Sequence, residues 1–454
     1  MNKKKYVNRN YLTTTRIIAL GFLITVIVGT ILLSLPIASA NGTWTDLLTA
    51  AFTSTTSVCV TGLVVVDTFS YWSLFGKGVI LILIQIGGLG IVSIITLFML
   101  LFRMKITLKS TMLLQDAFNL NSKQGLLKFT IKVIKGTFLI EGIGAFIYSF
   151  YYCREYGLLK GIWFSVFHAV SAFCNAGLDI MGADSLIPYH SNLLMMLNTS
   201  FLIIMGGIGF IVWWDTVEAF RRIRTKKCSI RSAWNGVHLQ TKIAIFMTLL
   251  LLIGGTVVIY FLERSNPDTL GNLSEKDRIL NAFFQSVTLR TAGFAAVPQA
   301  ALRPVTAFFG ALLMMIGGSP VGTAGGMKTV TIAVIFFTFA AMIRNHEDTE
   351  VFKRNIPVSV VKKAVAIVFL SMSTIFIMTI LLMATNDVNL LDALFEVASA
   401  VCTVGLSRNL TPVLNTAGQI IIMICMYIGR VGPISMVVAF NTQNLSLIHI
   451  SEPT

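Results

Sequence analysis

Residues 283–294 read Phe-Phe-Gln-Ser-Val-Thr-Leu-Arg-Thr-Ala-Gly-Phe, and residues 52–63, 167–178 and 395–406 align with them without a gap. Each segment has a Phe ten residues before a Gly, and a Leu or Phe directly after that Gly. One such match would mean little, but four at a near-constant period indicate a unit that occurs four times in tandem. Successive glycines are 115, 116 and 112 residues apart; they are Gly62, Gly177, Gly293 and Gly405.

The composition places this chain of 454 residues in a membrane, since 55% of its residues are hydrophobic and only 12% are charged. A helix that crosses the hydrocarbon layer of about 30 Å needs about 20 apolar residues. Residues 17–38, 79–102 and 243–262 meet that length. The chain is therefore predicted to be an all-α polytopic membrane protein rather than a soluble protein.

The net charge of +15 indicates membrane topology rather than nucleic-acid binding. Lysine and arginine cluster in residues 1–16, 103–135, 221–242 and 344–363, whereas the alternating connections carry fewer of them and several acidic residues. An excess of basic residues is typical of cytoplasmic loops. We therefore expect a multi-pass protein in a lipid bilayer, with a cytoplasmic N-terminus and no nucleic-acid partner.

Each repeated segment lies between two longer apolar runs, so the unit is predicted to be helix, re-entrant pore loop, helix. Backbone groups that face lipid without partners are costly, so the extended part of each loop must face protein or a water-filled lumen. Four units predict about eight full spans around one pore. We place the cytoplasmic N-terminus at 1–16, pore repeats at 17–110, 111–225, 226–345 (with a broken inner helix) and 346–443, and a non-native tail at 444–454.

The four segments suit a dehydrated K⁺, whose water shell is replaced by rings of backbone carbonyls. Glycine permits the dihedral angles that turn successive carbonyls toward one axis. The re-entrant helices would direct their partly negative C-terminal ends toward the centre, which favours cations. Because the ligands are main-chain groups, the side chains can differ between copies. The predicted filter segments are Cys59-Val60-Thr61-Gly62, Cys174-Asn175-Ala176-Gly177, Arg290-Thr291-Ala292-Gly293 and Cys402-Thr403-Val404-Gly405.

The six cysteines form no CxxC pair and lie near no group of histidines, so neither a zinc site nor a disulfide framework is expected. Three of them, Cys59, Cys174 and Cys402, are interpreted as packing groups behind the filter. The third copy has Arg290 at that position. We interpret Arg290 as a scaffold residue that pairs with an acceptor behind the filter, and Glu396 is the candidate. We expect K⁺ at the filter as the only metal ion, and no cofactor in this chain.

A second motif of small residues begins 24 to 29 residues after each filter glycine, as in Gly87-Gly88-Leu-Gly90. Small residues let helices approach one another or bend. In the third copy, residues 317–326 hold five glycines and a proline within an apolar stretch. Such a segment is either a passive kink or a non-helical loop. We favour a gate loop beneath the filter, because irregular backbone at membrane depth is tolerated where it lines a cavity. The predicted gate residues are Gly317, Gly318, Ser319, Pro320, Gly322, Thr323, Gly325, Gly326, Lys328 and Arg430.

The fourth copy of this motif has Arg430 where the other copies have glycine. Counting down the predicted helix from Val413 places Arg430 about 25 Å from the outer end. A charge at that depth does not easily reach the outer surface. A structural arginine with a buried partner is the alternative, but we favour a charge barrier in the pore. Lys328 either lines the inner vestibule or reaches the cytoplasmic interface, and the sequence favours neither.

These features resemble the Trk/Ktr/HKT superfamily of K⁺ transporters over residues 16–443. The resemblance rests on the four glycines, the run at 290–294, the break at 317–328 and Arg430. About sixteen residues precede the first span, which resembles the KtrB-type membrane subunit, since TrkH-type members have two extra N-terminal spans.

The resemblance implies K⁺ uptake across the bacterial cytoplasmic membrane, with Na⁺ dependence, by a homodimer that has one pore per subunit. It also implies a cytosolic regulatory ring of KtrA type that binds ATP or ADP. Plant relatives with serine in the first filter segment favour Na⁺, so Gly62 implies K⁺.

Two other classes of function predict different sequence features. An alternating-access cation symporter is the main alternative, but such transporters commonly have inverted repeats, whereas these four repeats are all predicted to begin and end on the cytosolic side. The sequence leaves open whether the flux is channel-like or coupled to Na⁺ or H⁺. An enzyme is not expected, because the spans contain no Ser/His/Asp, HExxH or paired-carboxylate arrangement.

Overall fold

The computed structural model describes residues 14–90, 93–94, 96, 126–182, 184–226, 229–346, 348–352 and 354–432. Most of the predicted cytoplasmic N-terminus lies outside the described residues. The same holds for the junction between repeats 1 and 2 and for residues 433–454, which include the predicted non-native tail.

Within the described residues, four helices are each long and apolar enough to cross a membrane. They begin the four repeats, and many of their large apolar side chains are exposed, as expected where a helix faces lipid. Outer helices 1 to 4 are Thr14–Ser34, Leu126–Tyr156, Leu239–Glu263 and Val358–Thr385.

Each outer helix is followed by a pore helix of 12 to 17 residues, which is too short to cross the bilayer and ends at a filter segment. The Asp46 carboxylate caps pore helix 1 by accepting hydrogen bonds from the N–H groups of Leu48 and Thr49. Ser274 and Asn389 cap the helices of repeats 3 and 4 in the same way. Pore helices 1 to 4 are Leu47–Cys59, Leu158–Cys174, Glu275–Thr288 and Leu390–Val401.

The inner helices run from beyond each filter segment back to the second glycine motif, where all four end. Inner helices 1 to 4 are Leu74–Leu89, Leu193–Gly207, Pro304–Met315 and Thr416–Val431. At the last motif position, Gly90, Gly209 and Gly432 have φ angles of 81°, 96° and 92°, which side chains with a Cβ atom rarely adopt. These glycines therefore terminate the helices.

In repeats 2 and 3 the described residues include a further long helix after the break. In repeat 2 the chain bends by 97° into Phe210–Lys226. In repeat 3 it resumes as Thr329–Ile343 after a non-helical stretch. The break in repeat 3 agrees with the sequence analysis, whereas the sharp bend in repeat 2 was not foreseen. The count of eight full spans and the exact repeat boundaries stay predictions.

The repeats pack in a closed ring. Each pore helix packs against an inner helix of the preceding repeat: inner helix 1 against pore helix 2, 2 against 3, 3 against 4, and 4 against 1. Phe52, Phe167 and Phe395, which begin three of the repeated segments, are fully buried in this ring. The only sheet among the described residues is a two-residue ladder that pairs 350–351 with 354–355. The predicted all-α fold with four repeats around one axis is confirmed.

Candidate functional site: a ring of four extended segments

The four filter segments share one backbone conformation. The residue two positions before each glycine is left-handed, and the glycine itself has a φ angle between 64° and 103°. The intervening residue is not left-handed, so the backbone alternates at the same positions in all four segments. A left-handed residue with a side chain costs about 1–2 kcal/mol, so the surrounding structure must impose it. The left-handed residues are Val60, Asn175, Thr291 and Thr403.

The four glycines lie beside one another in cyclic order. A Cβ atom built on each glycine would contact the carbonyl oxygen of the residue that precedes the next glycine in the ring. For the first three pairs this distance is 2.6 or 2.7 Å, closer than real Cβ atoms approach oxygen. The pairs are Gly62 with Ala176, Gly177 with Ala292, Gly293 with Val404, and Gly405 with Thr61. Because the fourth segment closes on the first, the carbonyls surround a single axis.

A hydroxyl group in the last turn of each pore helix holds the adjoining filter segment. In repeats 1 and 4 the hydroxyl accepts a hydrogen bond from the glycine N–H, at 2.9 and 3.0 Å. In repeats 2 and 3 it donates to the carbonyl of the residue after the glycine. These residues are not among the predicted filter residues, although a Ser or Thr five or six positions before every glycine is a visible signal in the sequence. They are Thr56, Ser171, Thr288 and Ser399.

The thiols that precede three of the glycines are buried. The Sγ atom of Cys174 lies 3.7 Å from Oε1 of Gln85 and 3.8 Å from Oε1 of Glu141. Gln85 Nε2 donates to both carboxylate oxygens of Glu141, at 3.1 and 3.2 Å. This cluster ties filter segment 2 to inner helix 1 and outer helix 2, which supports the interpretation of the thiol as a packing group.

The second glycine motif lies directly against the base of the ring. Cβ atoms built on its first glycine in repeats 1, 2 and 4 would contact a pore-helix carbonyl four residues before the filter glycine. The pairs are Gly87 with Val58, Gly206 with Phe173, and Gly429 with Val401. Only glycine lets the inner helix approach this closely, so the motif joins the inner helices to the base of the filter segments.

The gate loop, residues 317–326, is closed at its base by main-chain hydrogen bonds. The N–H of Gly317 donates to Met327 O at 3.0 Å, and the N–H of Met327 donates to Met315 O at 3.1 Å. Lys328 Nζ donates to Ala324 O at 2.6 Å, so this side chain folds back onto the loop. These hydrogen bonds favour a loop of defined structure over a passive kink.

The gate loop crosses beneath the ring. On one side, the N–H of Thr323 donates to Gly206 O at 3.1 Å, and its Oγ1 donates to Phe173 O at 3.0 Å. On the other side, a Cβ atom built on Gly325 would contact the Thr403 side chain. Repeats 2 and 4 are opposite each other in the cyclic order, so a loop that touches both spans the axis.

Arg430 binds the gate loop to another repeat. Its Nη1 donates to Thr323 O at 2.8 Å, and its Nη2 donates to Gly87 O at the end of inner helix 1. Among the ion pairs of the described residues, none includes Arg430. The guanidinium therefore joins the loop to the end of inner helix 1 through carbonyl oxygens, and an arginine side chain stays ionised at any accessible pH.

The pairing of Arg290 with Glu396 is wrong. Arg290 Nη2 lies 3.5 Å from Gly317 O, at the start of the gate loop, and its Nε has no hydrogen-bond partner among the described groups. Glu396 instead accepts hydrogen bonds from Ser407 Oγ, at 2.8 Å, and from Thr411 Oγ1. The carboxylate is satisfied by the chain that follows filter segment 4, so it does not need the guanidinium.

Comparison with known proteins identifies the family. The family model of TrkH, described as a cation transport protein, matches residues 3–446. The chain is 38% identical to the potassium/sodium uptake protein NtpJ of Enterococcus hirae, over 94% of this chain and 93% of that protein. It is 37% identical to the Ktr system potassium uptake protein B of Bacillus subtilis, over 97% and 96% of the two chains.

A solved structure has the same fold. The potassium transporter TrkH from Vibrio parahaemolyticus matches 97% of this chain and 87% of its own, with a TM-score of 0.74 at 16% sequence identity. The family match and both relatives cover nearly the whole chain, and the ring of four segments lies within the matched residues. The chain therefore belongs to the TrkH family of cation transport proteins, in the Trk/Ktr/HKT superfamily, and is a membrane transporter rather than an enzyme.

Proposed function

We propose that this chain takes up K⁺ across the bacterial cytoplasmic membrane through a filter of main-chain carbonyls from segments 59–62, 174–177, 290–293 and 402–405. The observation that carries the proposal is the closed ring, in which a Cβ atom built on each filter glycine would meet a carbonyl oxygen of the next repeat. Such carbonyl rings replace the hydration shell of K⁺. The names of the two relatives, a potassium/sodium and a potassium uptake protein, support K⁺ as the cargo.

The pore helices add an electrostatic preference for cations. Each pore helix ends at a filter segment, and the carbonyl end of a helix carries about half a negative charge. Four such ends around one axis stabilise a cation there through main-chain dipoles. The filter is thereby selective for the sign of the ion through its backbone alone.

The gate loop and Arg430 form the gate in this proposal. The loop crosses beneath the ring and is anchored to repeat 2 by main-chain bonds, and to repeat 1 through Arg430. Conduction requires the loop to move aside, which breaks the bond between Arg430 and Thr323. A cytosolic nucleotide-binding ring of KtrA type, loaded with ATP or ADP, would drive this movement in a homodimer. The name of the relative, a Ktr system B protein, supports such a further component.

The deciding experiment is K⁺ uptake in a bacterial host that lacks its own K⁺ uptake systems, with and without Na⁺. We expect the chain, expressed with a cytosolic regulatory ring, to restore growth at low K⁺, and Na⁺ to increase uptake. Uptake with fixed ion stoichiometry would instead favour the symporter. No K⁺ uptake despite normal membrane insertion would contradict the proposed function.

A further inference from the structure

One polar contact joins the gate loop to a filter side chain. The Oγ1 atom of Thr323 lies 3.3 Å from Oδ1 of Asn175, in addition to its bond with Phe173 O. Both Thr323 and Asn175 are only 1% exposed. Asn175 is the left-handed residue of filter segment 2, so the contact reaches the strained backbone of the filter itself.

The chemistry of the contact settles which atoms face each other. The hydroxyl of Thr323 carries one hydrogen, and the shorter of its two contacts is with Phe173 O. The Nδ2 atom of Asn175 has no partner among the described groups. Amide nitrogen and oxygen are distinguished by their hydrogen bonds, and rotating the amide by half a turn places Nδ2 against Thr323 Oγ1. Asn175 then donates to Thr323, and Thr323 donates to Phe173 O, so the hydroxyl both accepts and donates one hydrogen bond.

This contact distinguishes filter segment 2 from the other three. At the equivalent position, Val60 has no polar side-chain atom, and the hydroxyls of Thr291 and Thr403 have no hydrogen-bond partner among the described residues. Thr403 lies beside Gly325 of the gate loop, where a Cβ atom built on the glycine would clash with the threonine side chain. Of the four side chains at this position, the gate loop is therefore hydrogen-bonded to Asn175 alone.

We propose that Thr323 and Asn175 couple the gate to the filter, an inference that rests on the function proposed above. Displacement of the gate loop releases the Asn175 side chain, so ion selection by filter segment 2 depends on the position of the loop. Cation binding in the filter and displacement of the gate loop are then coupled, and such coupling is reciprocal. A cation in the filter therefore also shifts the equilibrium between the loop position seen here and the displaced position. Asn175 acts as a positioning residue, whereas the carbonyls remain the ligands.

The test replaces each partner by valine, singly and together, and measures K⁺ and Na⁺ uptake per membrane-inserted protein. Valine suits position 175 because Val60 adopts the same left-handed conformation in repeat 1. We expect Thr323→Val, a change in the loop, to alter K⁺/Na⁺ selectivity about fivefold, the factor for one neutral hydrogen bond. Asn175→Val, a change in the filter, should raise flux without the regulator by a similar factor. The double variant should match the single variants rather than multiply their effects.

Two controls separate coupling from general damage. Thr323→Ser keeps the hydroxyl and should retain the selectivity that Thr323→Val loses. Thr374→Val removes a hydroxyl that bonds only to Leu370 O of its own helix, so it should leave both measurements unchanged. If valine lowers the inserted amount, Thr323→Ala repeats the test.

Wild-type selectivity in Thr323→Val, or multiplied effects in the double variant, would overturn the coupling. Either result leaves the proposed function intact, provided that the wild-type chain takes up K⁺. Absence of K⁺ uptake by the wild-type chain is a different result, which contradicts the proposed function itself.

Discussion

The filter ring and the layer directly beneath it are built from the same four repeats, yet they differ in symmetry. In the ring, all four segments have the same alternation of backbone angles and the same glycine contact with the next segment. In the layer beneath, inner helix 1 ends at Gly90, repeat 2 bends by 97°, repeat 3 inserts the gate loop, and repeat 4 contributes Arg430.

The difference follows from what each layer does in the proposed function. Coordination by main-chain carbonyls needs four equivalent backbones, so it tolerates different side chains but no Cβ atom at the glycines. A gate needs only one element that moves, so a single inserted loop and a single charge are sufficient. Apart from the coupled pair Thr323 and Asn175, substitutions in the ring should therefore change ion selection, whereas substitutions beneath it should mainly change flux.

The largest effect is expected for Arg430→Ala. A positive charge about 6 Å from the ion path, at an effective dielectric constant of about 20, repels a cation by about 3 kcal/mol, or roughly a hundredfold in rate. The substitution also frees the loop from inner helix 1. We expect a large rise in K⁺ uptake, normalised to inserted protein, whereas Arg344→Ala, at an exposed arginine, should have little effect. Normal abundance with unchanged or lower flux would contradict the barrier.

Shortening the gate loop by deletion of residues 321–324 tests the same layer by another route. The deletion removes the contacts of Thr323 with repeat 2 and Arg430, but keeps the bridge between Ile316 and Met327. We expect flux to rise at least about tenfold, since several hydrogen bonds of about 1 kcal/mol each are lost. Dependence on a cytosolic regulator should weaken. Loss of flux in a normally inserted protein would mean that the loop is structural.

Gly62→Ser tests the ring. The φ angle of Gly62 is 103°, and a Cβ atom would lie 2.6 Å from Ala176 O, so the side chain displaces a carbonyl and adds a hydroxyl ligand. We expect K⁺/Na⁺ selectivity to fall about tenfold, which corresponds to about 1.4 kcal/mol. Gly78→Ser is the matched control, because a Cβ atom there meets open space. Unchanged selectivity in Gly62→Ser would remove this residue from the filter.

Ser399→Ala should have the smallest effect. The Ser399 hydroxyl accepts a hydrogen bond from the N–H of Gly405 at 3.0 Å. Loss of this one neutral hydrogen bond destabilises the conformation of filter segment 4 by about 1 kcal/mol. We expect a loss of K⁺/Na⁺ selectivity of at most about fivefold. Ser165→Ala is the control, since its hydroxyl bonds only within pore helix 2, to Gly161 O. Equal effects of the two changes would show that Ser399 does not support the filter.

The Glu396 and Arg290 pair shows where sequence reasoning fails. Both residues are buried and opposite in charge, so a pairing was plausible. The packing of repeat 4 instead places Ser407 and Thr411 against the carboxylate, and the packing of repeat 3 turns Arg290 toward the gate loop. Hydroxyl donors can satisfy a buried carboxylate as well as a guanidinium can, so opposite charge alone does not identify the partner. Only the packing decides which donor lies close to the carboxylate.

The sequence by itself determined the four-repeat membrane fold, and it predicted the filter glycines and the gate loop. These are local properties, since the period is visible along the chain and backbone angles such as those at Gly62 and Gly405 exclude most other residues. The tertiary structure alone decided what Arg430 binds. Its partner Gly87 is 343 residues away, and the two meet only because repeat 4 closes the ring against repeat 1. No local pattern encodes that distance, so the contact depends on how all four repeats pack.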